Sequence, residues 1–359
     1  MQARRNSKEV RVAGLVIGGG SPITVQSMTN TDTHNIEATE AQVKALAERG
    51  CDIVRITCPD LEAVRTFAVL KERGITLPLV ADVHFSHKIA IALADAGVDK
   101  IRINPGNIGD DGKVREVVCA CRRNNVPIRI GVNSGSLEKN ILAKYGAPTP
   151  EALVESALYH AALLEKFDFY DTVISVKASS VPDMIEANRL LAERCDYPIH
   201  LGVTEAGGGD AALVKSAVGI GTLLAEGIGD TVRVSLTDDP CEEINAAREI
   251  LSSLGLNTKP KMDIISCPTC GRTKIDLISL LSEFKSRVRA EGLDSLNVKV
   301  ALMGCVVNGP GEARECDLGI AGGVSEGILF KRGEIIRKLP EDKLVDALID
   351  ELRRMREKA

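Results

Sequence analysis

The chain has 359 residues, enough for one large domain and a smaller one. A net charge of −5, no Trp, and only four Tyr and six Phe argue against a basic nucleic-acid surface or a base-stacking platform. Residues 1–12 are polar and charged without an apolar signal core, and no apolar run approaches membrane-spanning length, so a cytoplasmic protein with neither a nucleic-acid nor a membrane partner is expected.

From the N-terminus to residue 254 the pattern is strand then helix, repeatedly. Gly18-Gly19-Gly20 reads as a turn before the first strand. Short apolar runs at 23–28, 52–57, 77–84, 100–104, 127–133, 172–178, 198–204 and 231–236 predict eight strands. The amphipathic stretches between and after them, 38–49, 61–73, 88–96, 114–124, 151–167, 183–194, 211–226 and 242–253, predict eight helices. Asp60, Ser86 and Asp210 are expected N-caps, and Gly50, Gly74 and Gly97 expected C-terminal stops. Eight such units fit an α/β fold with a TIM-type (β/α)8 barrel over residues 1–254, with a doubly wound open sheet as the alternative. Gly207-Gly208-Gly209-Asp210, between a strand and a helix, is either an anion-binding turn or a flexible loop.

A polar joint, 255–261, leads to a second, smaller α+β domain over 262–359. There a helix is expected at 274–290, strands at 297–303, 318–321, 327–331 and 334–337, and a closing helix at 341–356.

The predicted strands of the first domain carry polar residues near their C-terminal ends. These are Arg55, then Asp82 and His84, Arg102 and Asn104, Arg129 and Asn133, Lys177, then Thr204 and Glu205, and finally Arg233 and Ser235. Partners two or four apart share a face, and in a barrel that face can point to the top of the lumen. Five strands thus contribute Arg55, Arg102, Arg129, Lys177 and Arg233, while the acids in view are chiefly Asp82 and Glu205. Burying such cations without counter-charge is costly, so a polyanionic, phosphate-bearing ligand is expected. His84 reads equally as structural or substrate-bonding, and His200, early in its strand, as structural.

Ten cysteines in a cytoplasmic chain do not suggest a disulfide framework. Cys51, Cys119, Cys121 and Cys195 read as small core hydrophobes, Cys58 as either core or functional, and Cys241 as part of a helix's first turn. Cys267-Pro268-Thr269-Cys270 is different, because two thiols three apart on a tight turn can grip one metal. Farther on, Gly304-Cys305-Val306-Val307-Asn308-Gly309-Pro310-Gly311-Glu312 offers a third thiol and a carboxylate. Zinc would call for a second C-x-x-C or a His pair, and neither is present; an iron–sulfur cluster suits three thiols better. The fourth ligand is then Cys316 or an oxygen of Glu312, and a carboxylate is the more exchangeable of the two.

Taken together, these residues resemble the bacterial 4-hydroxy-3-methylbut-2-enyl diphosphate synthase family (IspG, also called GcpE). The resemblance covers nearly the whole chain. It is carried by Cys267–Arg272, by Met303–Glu312, and by Val25-Gln26-Ser27-Met28-Thr29, Arg102-Ile103-Asn104-Pro105-Gly106-Asn107 and Glu226-Gly227-Ile228-Gly229-Asp230-Thr231. It implies reductive ring opening and dehydroxylation of 2-C-methyl-D-erythritol 2,4-cyclodiphosphate in the non-mevalonate isoprenoid pathway. Two electrons would come from flavodoxin or ferredoxin through a [4Fe-4S] cluster. By the same resemblance Cys267, Cys270, Cys305 and Glu312 hold the cluster. Arg55, Arg102, Asn104, Arg129, Asn133, Lys177, Arg233 and Ser235 bind the diphosphate, and His84 and Glu205 lie near the reacting carbons, with Glu205 a proton donor and Glu312 counted among the catalytic residues. The resemblance further implies a homodimer with an active site shared between subunits and the 255–261 joint as hinge. Cys316 departs from the family pattern. Two other functions remain in view: a non-redox iron–sulfur dehydratase of a phosphorylated substrate, and a zinc-clipped phosphate-binding protein without catalysis.

Overall fold

A computed structural model describes residues 2–305, 315–324 and 326–357. The chain divides into two compact units, Met1–Asn257 and Thr258–Ala359.

The first unit opens with a hairpin that the sequence reading did not anticipate, β1 (Val10–Val12) and β2 (Leu15–Ile17), paired antiparallel. Eight parallel strands follow: β3 (Thr24–Met28), β4 (Ile53–Thr57), β5 (Leu79–Asp82), β6 (Lys100–Ile103), β7 (Ile128–Asn133), β8 (Thr172–Lys177), β9 (His200–Leu201) and β10 (Thr231–Val232). Their order is β8-β7-β6-β5-β4-β3-β10-β9, and a parallel bridge from Ile174 to Ile199 joins the two ends, closing the barrel. The open-sheet alternative is thereby excluded.

Alternation explains both faces. On β4 and β6, for example, Val54, Ile56, Ile101 and Ile103 join the shell packed under the helices, while Ile53, Arg55, Lys100 and Arg102 take the opposite face. At the strands' N-terminal ends Ile53, Val80 and Val173 pack with Val10, Val12 and Ile17 of the hairpin, all wholly buried, so the hairpin plugs the bottom of the barrel. The segment before the hairpin is tied down by Asp230. Its Oδ1 accepts from Ser7 Oγ at 2.9 Å, and its Oδ2 from the Ile199 amide at 2.9 Å.

The expected helices are found with shifted ends. Two short ones, Lys139–Tyr145 and Pro105–Ile108, are additional. Ser86 caps its helix through the Ile89 amide, and Asp60 bonds the Ala63 amide just ahead of Val64–Glu72. Asp210 is not a cap: Gly208 holds that position, and Asp210 lies inside the first turn of Gly209–Ala225. Gly50, Gly74 and Gly97 end their helices in left-handed conformation, as expected. Cys51, Cys58 and Cys121 are buried, and burial pushes each thiol up to about 12. Cys119 is exposed rather than core, because it faces outward on its helix.

In the second unit a five-stranded sheet runs β11 (Asp263–Ser266), β12 (Lys299–Met303), β13 (Leu318–Gly322), β14 (Glu326–Lys331) and β15 (Glu334–Pro340) in sequence order. The first two pairings are parallel and the last two antiparallel. β11 was not anticipated, since it is short and mostly half-exposed and so lacks a clear apolar alternation. Helices Leu277–Ala290 and Leu344–Glu357 cover the sheet, burying Phe284, Val288, Leu348 and Leu352.

Candidate active site

In the upper part of the barrel the charged residues gather into three bonded groups, with Arg129 lower than expected, at the second position of β7. Arg102 Nη1 donates to Asp82 Oδ1 at 3.0 Å and its Nη2 to the Gly131 carbonyl at 3.2 Å. Arg55 lies 3.7 Å from the other Asp82 oxygen and rests its guanidinium on the Met28 sulfur. Arg129 reaches Ser175 Oγ at 2.7 Å. Arg233 grips Glu243, at the start of helix Pro240–Ser253, with two hydrogen bonds of 3.1 and 2.8 Å; Ser27 Oγ donates to the same carboxylate at 2.7 Å.

Two glycines make this crowding possible. A Cβ on Gly131 would lie 2.4 Å from Arg102 Nε, and one on Gly202 would lie 2.8 Å from Lys177 Nζ and 2.6 Å from the Arg233 carbonyl. Gly202 follows directly on β9, where pairing stops at Leu201 instead of running to 204.

Electrostatics follow from this crowding. Burial pushes the Asp82 carboxyl up, but Arg55 and Arg102, helped by His84 and Arg129, outweigh it and hold the group at about 2. Burial lowers Arg55 to about 10, and burial together with the neighbouring arginines pulls Arg129 and Lys177 well below their ordinary ranges. Five cations therefore face two buried carboxylates, Asp82 and Glu243. Arg102 Nε, Arg129 Nε and Nη2, and Asn104 Nδ2 are buried without a hydrogen-bond partner among the described residues. Unspent donors and surplus positive charge at a barrel mouth suit an anion with several oxygens.

The sequence reading had Glu205 as the second acid near the cations. The structure gives that place to Glu243, which the string Asp238-Asp239-Pro240-Cys241-Glu242-Glu243 hides as an ordinary acidic first turn. Glu205 is exposed, with a left-handed φ of 53°. His84 is also exposed, beside Phe85, whereas Asn133 is half-buried at the end of β7 and Ser235 half-buried in the loop three residues beyond β10. His200 is buried inside the barrel, as expected. Lys100 was missed, although its two-residue spacing from Arg102 places it on the same inward face.

In the second unit Cys267 follows β11 and Cys305 lies just beyond β12, its parallel neighbour, so both thiols sit at the same end of the sheet. The Gly304 amide donates to Cys267 Sγ at 3.2 Å. Cys270 is exposed, and a hydrogen bond from the Arg272 backbone lowers its thiol from the ordinary range. Among the described residues no three His, Cys, Asp or Glu side chains converge as a metal site, and Glu312 lies outside the described residues. The donor set itself fits an iron–sulfur group: soft thiols at one sheet end, one with a backbone N–H directed at its sulfur. Cys316 is buried with Ala301, Met303 and Phe330 two residues before β13. By strand register it precedes the level of Cys267 by about five residues, while Cys267 packs against the same cluster.

Fold and site together define a barrel protein with a cation-rich mouth, joined to a thiol-bearing α+β domain. The GcpE TIM-barrel domain matches residues 7–248 and the GcpE protein C-terminal domain matches residues 263–354, so the chain belongs to the GcpE family. It is 54% identical over 346 residues to the 4-hydroxy-3-methylbut-2-en-1-yl diphosphate synthase (flavodoxin) of Clostridium perfringens, covering 96% of this chain and 98% of that protein. It is 53% identical over 355 residues to the protein of the same name in Caldanaerobacter subterraneus, covering 99% of each. Among solved structures, the dihydropteroate synthase of Stenotrophomonas maltophilia shares the barrel alone, with a TM-score of 0.51 at 15% identity over 69% of this chain and 98% of that one. Among the described residues no helix is long and apolar enough to cross a membrane.

Proposed function

We infer that the protein is the cytoplasmic enzyme that converts 2-C-methyl-D-erythritol 2,4-cyclodiphosphate to 4-hydroxy-3-methylbut-2-enyl diphosphate in the non-mevalonate isoprenoid pathway. It is an iron–sulfur oxidoreductase drawing two electrons from flavodoxin. The observation that supports this reading, beside family membership, is the surplus of cations and unpaired donors at the barrel mouth, which suits the charge of a diphosphate.

In this reading Arg55, Arg102, Arg129, Lys177 and Arg233, with Asn104, Asn133 and Ser235, hold the diphosphate and fix the carbon ring. Asp82 and Glu243 do not touch substrate; they hold Arg102 and Arg233 in place before it arrives. His84 and Glu205, both exposed at the mouth, are free to reach the reacting carbons, with Glu205 protonating the departing oxygen. Cys267, Cys270, Cys305 and Glu312 hold a [4Fe-4S] cluster. When bound, the cluster supplies the electrons and a Lewis-acidic iron for the oxygen that is lost. A homodimer with an active site shared between subunits completes the proposal.

The test is made on anaerobically purified protein. Iron and acid-labile sulfide are measured per chain, and the visible spectrum is followed as the cyclodiphosphate and reduced flavodoxin are added. About four iron and four sulfide, as one cluster of this type requires, with electron-dependent product formation are expected. Turnover without reductant would make the protein a non-redox dehydratase, and zinc without sulfide would remove the redox reading altogether.

A further inference from the structure

Below the groups just described the barrel holds a second polar layer. Lys100 and Arg102 alternate with Ile101 on β6, so both enter the lumen. Lys100 is wholly buried, and its Nζ has no hydrogen-bond partner among the described residues. The lumen around it is similarly unpaired: both amide atoms of Gln26 on β3, Nε and Nη2 of Arg129 on β7, and Nε2 of His200 on β9.

The charged and titratable groups facing Lys100 are Arg55 from β4, Arg129 from β7 and His200 from β9. Asp82 on β5 is taken by Arg55 and Arg102, and Glu243 by Arg233, while Lys177 on β8 shares the same field of arginines. Among the described residues, the charges that act on the Lys100 amine are those of Arg129 and Arg55, and neither is a carboxylate. Burial, then Arg129 and Arg55, hold it well below its ordinary range. A diphosphate bound by Arg55, Arg102 and Arg129 would bring negative charge into this space and reverse the preference.

We propose that Lys100 is a positioning residue beneath the substrate's diphosphate, taking up one proton as the substrate binds and closing the anion's cradle from below. The inference rests on the diphosphate reading of the mouth. The Nζ lone pair accepts the proton from solvent, and no other bond changes. Because binding favours the protonated amine, affinity falls as pH rises, by up to tenfold per pH unit for one proton.

The test is calorimetric titration of the unreduced holoenzyme with the cyclodiphosphate, under anaerobic conditions, in amine and sulfonate buffers of different ionisation enthalpy from pH 6 to 9. Each phosphorus of this ligand carries a single strongly acidic oxygen, so the ligand contributes no proton in that range. The expected result is uptake by the wild type that exceeds uptake by Lys100→Met by about one proton per site, with a flatter pH profile of affinity in the variant. Equal uptake in wild type and Lys100→Met overturns the proposal. Lys100→Gln replaces that variant if it does not fold, and zero uptake by the wild type overturns the proposal without any variant. Binding without proton uptake removes only the Lys100 inference, whereas a wild type that does not bind the cyclodiphosphate removes the reading of the mouth itself.

Discussion

Arg233 and Glu243 meet through two hydrogen bonds, Nε to Oε2 at 3.1 Å and Nη2 to Oε1 at 2.8 Å, with the carboxylate only 3% exposed. The pair fixes a strand-end arginine from a helix ten residues on, and Ser27 adds a third bond from β3. Removing one member of a buried pair leaves the other uncompensated and costs about 3 kcal/mol. Glu243→Gln should therefore unfold at lower temperature and raise KM for the cyclodiphosphate about tenfold. Steady-state kinetics beside a thermal melt check this, and a variant with wild-type KM would show that Arg233 keeps its place unaided.

Asp82 sets an acid limit on stability. Its folded value of about 2 lies below the value of about 3.9 expected when unfolded. Its contribution is present above pH ~4 and is lost as pH falls through about 2, a change of about 2–3 kcal/mol. Asp82→Asn should be less stable near neutrality and show a flatter stability profile between those values. Urea unfolding at a series of pH values measures both effects; parallel profiles would mean that Asp82 is not paired as described.

Gly131 is a test of crowding. A methyl group there would meet Arg102 Nε at 2.4 Å, so Gly131→Ala forces Arg102 off the Gly131 carbonyl and away from Asp82. The expected result is a folded protein whose kcat/KM falls by about one to two orders of magnitude, corresponding to the loss of one charge-assisted contact. Unchanged kinetics would show that Arg102 does not bind substrate from this position.

The proposed metal ligands can be separated by iron content. Cys267→Ser should lose most of its iron and sulfide. Cys316→Ser, altered among Ala301, Met303 and Phe330, should keep both and melt only slightly lower. Iron loss in Cys316→Ser would restore it as a ligand. Glu312→Cys is expected to retain iron and sulfide but lose turnover, since a thiolate exchanges less readily than a carboxylate; full activity would refute that role.

Much of this was legible from periodicity and spacing. Arg102 and Asn104, two apart, announce a shared face, and the strand-helix alternation announces eight units. What escaped notice depends on tertiary context. Val10-Arg11-Val12 is too short to read as a strand, and becomes one only because the strands' lower ends present Ile53, Val80 and Val173 for it to cover. Glu243 looks like any first-turn acid until the barrel brings it to Arg233. Lys100 was passed over at the start of its strand, although it lies two residues from Arg102 and so on the same face. Where Cys316 lies relative to Cys267 follows only from the pairing of β11, β12 and β13.

The hairpin plug also has a kinetic meaning. With Val10, Val12 and Ile17 sealing one end against Ile53, Val80 and Val173, the barrel is a blind cup rather than a tunnel. On the proposed reading of the mouth, incoming cyclodiphosphate and outgoing diphosphate use the same doorway, past the same arginines. Turnover is then a strict exchange, one anion out before the next comes in.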